Sequence, residues 1–212
     1  MQSKHIYLIK HGETEENRQG IHQGQAVGGR LSKRGKDDIR QVGDSLATVG
    51  VTVDQMLVSP MSRCRQSAAL LTAALTPAEV RVEERLAAKN SGYLGGRPRD
   101  LAAAEAARRG VPIHQLRTPG GESSEDVQSR YSHLWDEVCA GSQRTAILIG
   151  HGGGLACLLL WLTGNGFDRY LDHVPGSAGV TWVEVGDGTP RIRLMNVPAA
   201  DLSNRLNMGT AR

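Results

Sequence analysis

The stretch Leu8-Ile9-Lys10-His11-Gly12-Glu13-Thr14 decides how the rest of the chain is read. Just before and within it, His5-Ile6-Tyr7-Leu8-Ile9 has the length and composition of a buried β-strand. That strand feeds straight into a basic residue, a histidine and a glycine. The same construction recurs far downstream, where Thr145-Ala146-Ile147-Leu148-Ile149-Gly150 runs into His151-Gly152-Gly153-Gly154. In open parallel sheets the ligand crevice lies beyond the carboxyl ends of the strands. Two strands ending in His-Gly therefore predict one site at which His11 and His151 meet.

Between and beyond these strands the pattern alternates. Ile39, Val42, Leu46 and Val49 form an amphipathic stripe on a helix, and Asp54 to Ser59 reads as a second strand stopped by Pro60. Met61 to Leu75 is the next predicted helix, with Arg63 in its first turn, and Val80 to Val82 a short strand. Ser123 or Ser124 caps a helix carrying Val127, Tyr131, Leu134 and Val138, with Glu125 and Asp126 in its first turn. An apolar helix over Leu155 to Leu162 follows the second His-Gly strand. Val180 to Val185 and Arg191 to Met195 pair around Gly186-Asp187-Gly188. The order predicts an α/β fold, a three-layer αβα sandwich with a mostly parallel central sheet, formed by one domain over residues 1–212.

Two segments break the rhythm. Gly12 to Gly35 is polar and glycine-rich, and a loop of that length inside a compact domain is usually functional. Residues 86–121 hold Gly92, Gly95, Gly96, a predicted helix Arg99 to Arg109 and Pro119-Gly120-Gly121, and read as an insertion lying over the crevice as a lid. The tail from Pro198 carries no readable signal.

Composition narrows the partners. A formal charge of +3 is too small to imply nucleic acid, and the apolar stretch Leu155 to Leu162 is too short to span a bilayer. Cys64, Cys139 and Cys157 are odd in number and match no metal spacing, so free thiols in a reducing compartment are expected. The first residues lack a basic-then-apolar leader, which makes the cytoplasm the expected location. Assembly is open, a homodimer being the commonest choice.

The chemistry follows from what converges. Lys10 with His11, Arg63 after Ser59-Pro60, and His151 all stand at predicted strand ends. Two histidines and two cations suit a small dianion, of which phosphate is the commonest. Glycines beside each histidine, Gly12 and Gly152, let backbone N–H groups approach such a ligand. A neutral imidazole can attack phosphorus while the cations stabilise the equatorial oxygens. A zinc site from His11, His22, His151 and His173 lacks short ligand spacing and matched cysteines. A G-x-S-x-G elbow and a Walker-type glycine loop are both missing.

Taken together, these residues resemble the histidine phosphatase superfamily, in its phosphoglycerate mutase-like branch. Its Leu-x-Arg-His-Gly-Glu-Thr signature with a following Asn is similar to Leu8 to Thr14 with Asn17. Its Gln-Gly and Leu-Ser-x-x-Gly elements are similar to Gln23-Gly24 and Leu31 to Gly35. Its Ser-Pro-x-x-Arg-x-x-Gln-Ser-Ala corresponds to Ser59, Pro60, Arg63, Gln66, Ser67 and Ala68, and its Gly-Gly-Glu-Ser to Gly120 to Ser123. The resemblance implies that His11 carries the phosphoryl group. It implies that Arg63, His151, Asn17 and residue 10 bind its oxygens, with Gly12, Thr14, Gln23, Gly24 and Gly152 around the substrate. It further implies that Glu122 helps to hold the pocket and that neither cofactor nor metal is needed.

Two departures stand out. Lys10 occupies the arginine position, keeping the charge but losing the fork geometry. The family's Leu-x-Glu-x-x-x-Gly, whose Glu protonates the leaving oxygen, corresponds to Leu86 to Gly92, with Ala88 at the acid position. A general acid contributes roughly 10²–10⁴-fold in rate, so the exchange has consequences. One reading is a phosphatase for a small phosphorylated metabolite. Its donor is then another residue such as Glu83 or Glu84, or its leaving groups need little protonation. The alternatives are a repurposed enzyme in which Lys10 acts as base or anion anchor, and a binder of a phosphorylated or otherwise anionic ligand. Mutase activity proper is disfavoured by the same missing acid.

Overall fold

The first strand, β1 (Lys4–Lys10), alternates its side chains between two buried faces, so it has to lie inside a sheet with helices on both sides. The computed structural model describes residues 3–26 and 28–210. After β1 come a one-turn helix α1 (Glu15–Arg18), β2 (Ile21–His22), α2 (Lys33–Thr48), β3 (Gln55–Val58), α3 (Ser62–Leu75) and β4 (Glu79–Val82). Then follow β5 (Arg97–Pro98), α4 (Asp100–Arg109), α5 (Ser124–Ala140), β6 (Thr145–Gly150) and α6 (Gly152–Thr163). The chain closes with the short α7 (Tyr170–His173), β7 (Val180–Gly186), β8 (Thr189–Val197) and α8 (Ala199–Thr210).

Six strands form the main sheet in the order β4-β3-β6-β1-β7-β8. The first four run parallel, and β7 and β8 are antiparallel, giving the predicted mostly parallel αβα architecture. Tyr7 and Ile9 point into a core with Ile39, Val42 and Leu46 of α2 and Leu71 of α3. Ile6 and Leu8 point the other way, against Tyr131, Leu134 and Trp135 of α5 and Leu155, Leu158 and Leu159 of α6. Each fully buried aliphatic side chain stabilises the fold by about 1.5–3 kcal/mol, and the two layers clamp the sheet between them. Among the described residues no helix is long and apolar enough to cross a membrane.

The register of the central strands is what matters for the site. Lys10 of β1 pairs with Gly150 of β6, and Val58 of β3 pairs with Ile149. The residues that follow, His11, His151 and Ser59, therefore leave three neighbouring strands at one level of one rim.

Several expectations need correction. Residues 12–35 are not a continuous loop, because Thr14 and Asn17 form a reciprocal capping box that starts α1. β2 then pairs antiparallel with β5, Ile21 against Pro98 and His22 against Arg97, which ties this segment to residues 86–121. Gly35 lies inside α2, which starts earlier than the loop reading allowed because the Ser32 hydroxyl accepts from the Gly35 N–H at 3.0 Å. The tail is not featureless either. Ala199 to Thr210 forms α8, whose Leu202 and Leu206 enter the α2 side of the core and whose Ser203 donates to Ser45 at 2.8 Å.

Because Leu202 is fully buried, Leu202→Ala should destabilise the protein by about 2–5 kcal/mol. Urea unfolding monitored by circular dichroism checks this, and an unchanged midpoint would mean that α8 is not part of the cooperative fold.

Candidate functional site

His11 is 4% exposed and takes up both of its ring nitrogens in bonds that define its tautomer. Nδ1 lies 2.8 Å from the Gly12 carbonyl oxygen, which can only accept, so Nδ1 carries the proton. Nε2 then bears the lone pair, and it accepts from Arg63 Nε at 3.3 Å. Burial, reinforced by the charge of Arg63, pushes the His11 ring down to about 3, so it is neutral throughout the physiological range. His151 lies beside it, with ring centroids 5.2 Å apart and edge to face. Arg63 Nη2 donates to His151 Nδ1 at 3.1 Å, which leaves Nε2–H of a neutral ring to donate to the Ser59 hydroxyl at 2.8 Å. Burial followed by Arg63 holds His151 well below the usual histidine value.

Arg63 organises this pair from the first turn of α3. It is 2% exposed, and besides the two imidazoles it donates to the carbonyl oxygens of Gly24 at 2.9 Å and Gly28 at 3.3 Å. Its own carbonyl accepts from the Ser67 hydroxyl, whose oxygen accepts in turn from the Gly12 N–H. The guanidinium is thus fixed from both sides before any ligand arrives.

These residues line a cavity of about 370 Å³ together with Lys10, Asn17, Gln23, Gly24, Gly152, Gly153 and Gly154. The three glycines form the first turn of α6, whose backbone N–H groups lack intrahelical partners and favour an anion. Two of them also yield to neighbours. A Cβ on Gly154 would sit 2.2 Å from the Tyr131 ring, and one on Gly153 would sit 3.0 Å from the Tyr170 hydroxyl oxygen. The wall carries four cations, Lys10, Arg63, Lys89 and Arg99, and no carboxylate among the described residues. Lys10 Nζ donates to the Pro175 carbonyl at 3.1 Å, and burial lowers its pKa to about 8.

Not every predicted site residue reaches this cavity. Gly12 is excluded from it, since its N–H serves Ser67 and a Cβ there would meet the Gly35 carbonyl oxygen at 2.4 Å. Its glycine is required by the packing of the α2 start against the His11–Glu13 turn. Thr14 is fully buried behind the wall, where its hydroxyl caps α1 and accepts from Gln23 Nε2 at 2.7 Å. Glu122 is spent on Arg130, at 2.8 and 3.1 Å, and on the Asn90 N–H, so it braces the neighbouring loop. Asn17 accepts from the Thr14 N–H, and Gln23 is anchored by Thr14, with both lining the cavity. Ser124, Tyr170 and Leu171 also line it, brought there by α5 and α7 without any local motif.

Neither alternative proton donor is placed to act. Glu83 is clamped by Arg85 at 2.8 and 2.9 Å, which holds its carboxyl below the usual range, and Glu84 is exposed. Neither lines the cavity, whereas Ala88 does. The Ala88 carbonyl accepts from Gln25 Nε2 and Arg130 Nη2, which pins the main chain there. Among the described residues no group of three or more His, Cys, Asp or Glu side chains is arranged to hold a metal ion.

A parallel-sheet rim that presents a neutral histidine, a second histidine and buried cations defines an α/β protein built around a cationic pocket. The chain belongs to the histidine phosphatase superfamily (branch 1), whose family model matches residues 6–198. The probable phosphoglycerate mutase GpmB of Enterobacter sp. (strain 638) is 29% identical over 164 residues, covering 75% of this chain and 74% of that protein. Mouse fructose-2,6-bisphosphatase TIGAR is 28% identical over 172 residues, 80% of this chain and 61% of its own length. Among solved structures, YhfR of Bacillus stearothermophilus superposes with a TM-score of 0.80 at 22% identity, over 91% of this chain and 96% of its own. A mycobacterial glucosyl-3-phosphoglycerate phosphatase gives 0.76 at 22% identity, covering 92% and 99%. These two likenesses establish the fold.

If the cavity takes an anion, Lys10 makes that binding pH-dependent. Its charge is present below about 8 and is lost as the pH rises through that value. Sulfate, a dianion throughout, should bind roughly tenfold more weakly above this range, a loss of about 1.4 kcal/mol. In Lys10→Arg the alkaline weakening should vanish. Titration calorimetry against pH reads both, and an identical slope in the two proteins would mean that Lys10 does not face the anion.

Proposed function

We propose that the protein is a metal-independent phosphatase that acts on a small phosphorylated metabolite through a phosphohistidine on His11. The observation that carries this reading is the His11 tautomer, with Nδ1–H held by the Gly12 carbonyl and the Nε2 lone pair turned toward Arg63. Family membership and the phosphatase name of the TIGAR relative support the reaction class.

In the first step Nε2 attacks phosphorus, the N–P bond forms and the P–O bond to the leaving group breaks. Positive charge developing on the imidazole is stabilised through Nδ1–H by the Gly12 carbonyl. Arg63, Lys10 and the α6 N-terminus stabilise the oxygens of the transferring group, with His151 alongside. In the second step water attacks phosphorus, the N–P bond breaks, and inorganic phosphate leaves with a neutral His11 restored.

The leaving oxygen finds no carboxyl group, because the acid position is Ala88 and the cavity wall carries none. Substrates whose leaving groups depart as weakly basic anions are therefore favoured. Hydrolysis of an activated aryl phosphate should exceed that of a simple alkyl phosphate by at least ~10²-fold and be abolished in His11→Ala. In Ala88→Glu the alkyl rate should climb toward the aryl rate. Equal rates in the wild type would mean that a donor exists. A second reading, a repurposed enzyme using Lys10 as a base, is favoured by the lowered pKa of its amine and would be the survivor if neither ester is turned over.

A further inference from the structure

The anion cavity does not end at Ala88. A second cavity of about 440 Å³ continues from it, sharing His22, Lys89, Arg99, Ser124, Tyr170 and Leu171 as common wall. Its character changes sharply. Leu94, Ala102, Ile113, Leu116 and Phe167 line it, and the His114 and Phe167 rings stack at 4.8 Å with planes 4° apart. Its two carboxylates are Asp168 and Glu122, the latter already bound by Arg130 and Asn90. The Thr118 hydroxyl in the same wall is buried and has no hydrogen-bond partner among the described residues.

Two apolar residues at this place are conspicuously uncovered. Leu171, common to both cavities, is 83% exposed, and Ile113 is 53% exposed. Residues 86–121 supply most of the apolar wall, and they are fixed by the small core of Leu94, Ala106 and Leu116 and by the β2–β5 pairing. The wall is therefore built in advance, and a ligand need not order it.

We propose that this second cavity is the leaving-group subsite and that the substrate is a phosphate monoester of a flat aromatic alcohol. The proposal rests on the phosphatase reading for the phosphate end. In-line displacement at phosphorus places the leaving oxygen opposite His11 Nε2. A bulky leaving group then has one roomy direction in which to extend, past Ala88 and Lys89 into the apolar chamber. An aromatic ring buries its faces there beside the His114–Phe167 stack. An aryloxide, the weakly basic anion of a phenolic hydroxyl, also departs without a strong acid, so the small side chain at position 88 and the apolar chamber serve the same substrate.

The test is equilibrium binding of two non-hydrolysable probes, naphthylphosphonate and methylphosphonate, by titration calorimetry on the wild type, Ala102→Trp and Ile113→Asp. Naphthylphosphonate should bind roughly 10- to 100-fold more tightly to the wild type, the gap expected from burying one aromatic ring. Each substitution should remove most of that gap and leave methylphosphonate affinity unchanged. Equal affinities, or a gap that neither substitution alters, would overturn the proposal. If aryl esters are hydrolysed but the gap is absent, the subsite falls and the phosphatase reading stands. If the gap is present but no ester is hydrolysed, the chamber stands and the phosphatase reading falls.

Discussion

The structure depends on the register of three parallel strands. With Lys10 opposite Gly150 and Val58 opposite Ile149, the chain leaves β1, β6 and β3 at one level. A shift of one residue in any of them would turn its last side chains to the other face of the sheet. The apolar alternation that fixes this register is buried on both faces, so slippage would expose Ile6 and Leu8 or Tyr7 and Ile9 to the wrong layer. The packing of the core and the meeting of His11 with His151 are consequently one specification. Arg63 completes it by placing a buried guanidinium between the two rings and the carbonyl oxygens of Gly24 and Gly28.

A buried charge is costly unless it is hydrogen-bonded, and Arg63 meets that condition with neutral carbonyl and imidazole acceptors. Its positive charge lines the cavity, with the Glu16 carboxylate near enough to stabilise it. Lys10 adds to it, and the first turn of α6 adds the dipole of a helix with no side-chain cap. Burial first, and this field after it, keeps both imidazoles neutral by disfavouring their protonated forms. A neutral imidazole is the form that can act as a nucleophile, so one arrangement serves both parts of the proposed mechanism, attack by His11 and binding of the anion.

How much of this was readable in the sequence varied with the range of the interaction involved. The strand-His-Gly echo and the Ser-Pro-x-x-Arg turn announce themselves locally, and the structure brings His11, Arg63 and His151 within hydrogen-bond reach. Asn17, Gln23, Gly24 and Lys10 also reach the cavity. Gly12 and Thr14 look like ligand contacts on sequence grounds, yet each serves a contact inside the protein, as Glu122 does in bracing the loop beside the pocket. Those contacts join distant segments, Gly12 to Gly35 and Glu122 to Asn90, and no local spacing encodes them. The same holds for Tyr170 and Leu171, which are ordinary in sequence and acquire meaning from where α7 docks. α8 did leave a signal, since Leu202 and Leu206 stand four residues apart after Pro198, and its brevity hid it. The Ala88 exchange was legible, but its setting beside an apolar chamber required the three-dimensional course of residues 86–121.

We propose that His11 Nε2 carries the phosphoryl group. The most direct measurement is to quench the enzyme into alkali during turnover of an activated aryl phosphate and to map the phosphoryl group by mass spectrometry. An acid-labile, alkali-stable phosphohistidine is expected at His11, absent from His11→Ala and still formed in His151→Gln. Turnover without a phosphoryl group on His11, or with one on another residue, would contradict it.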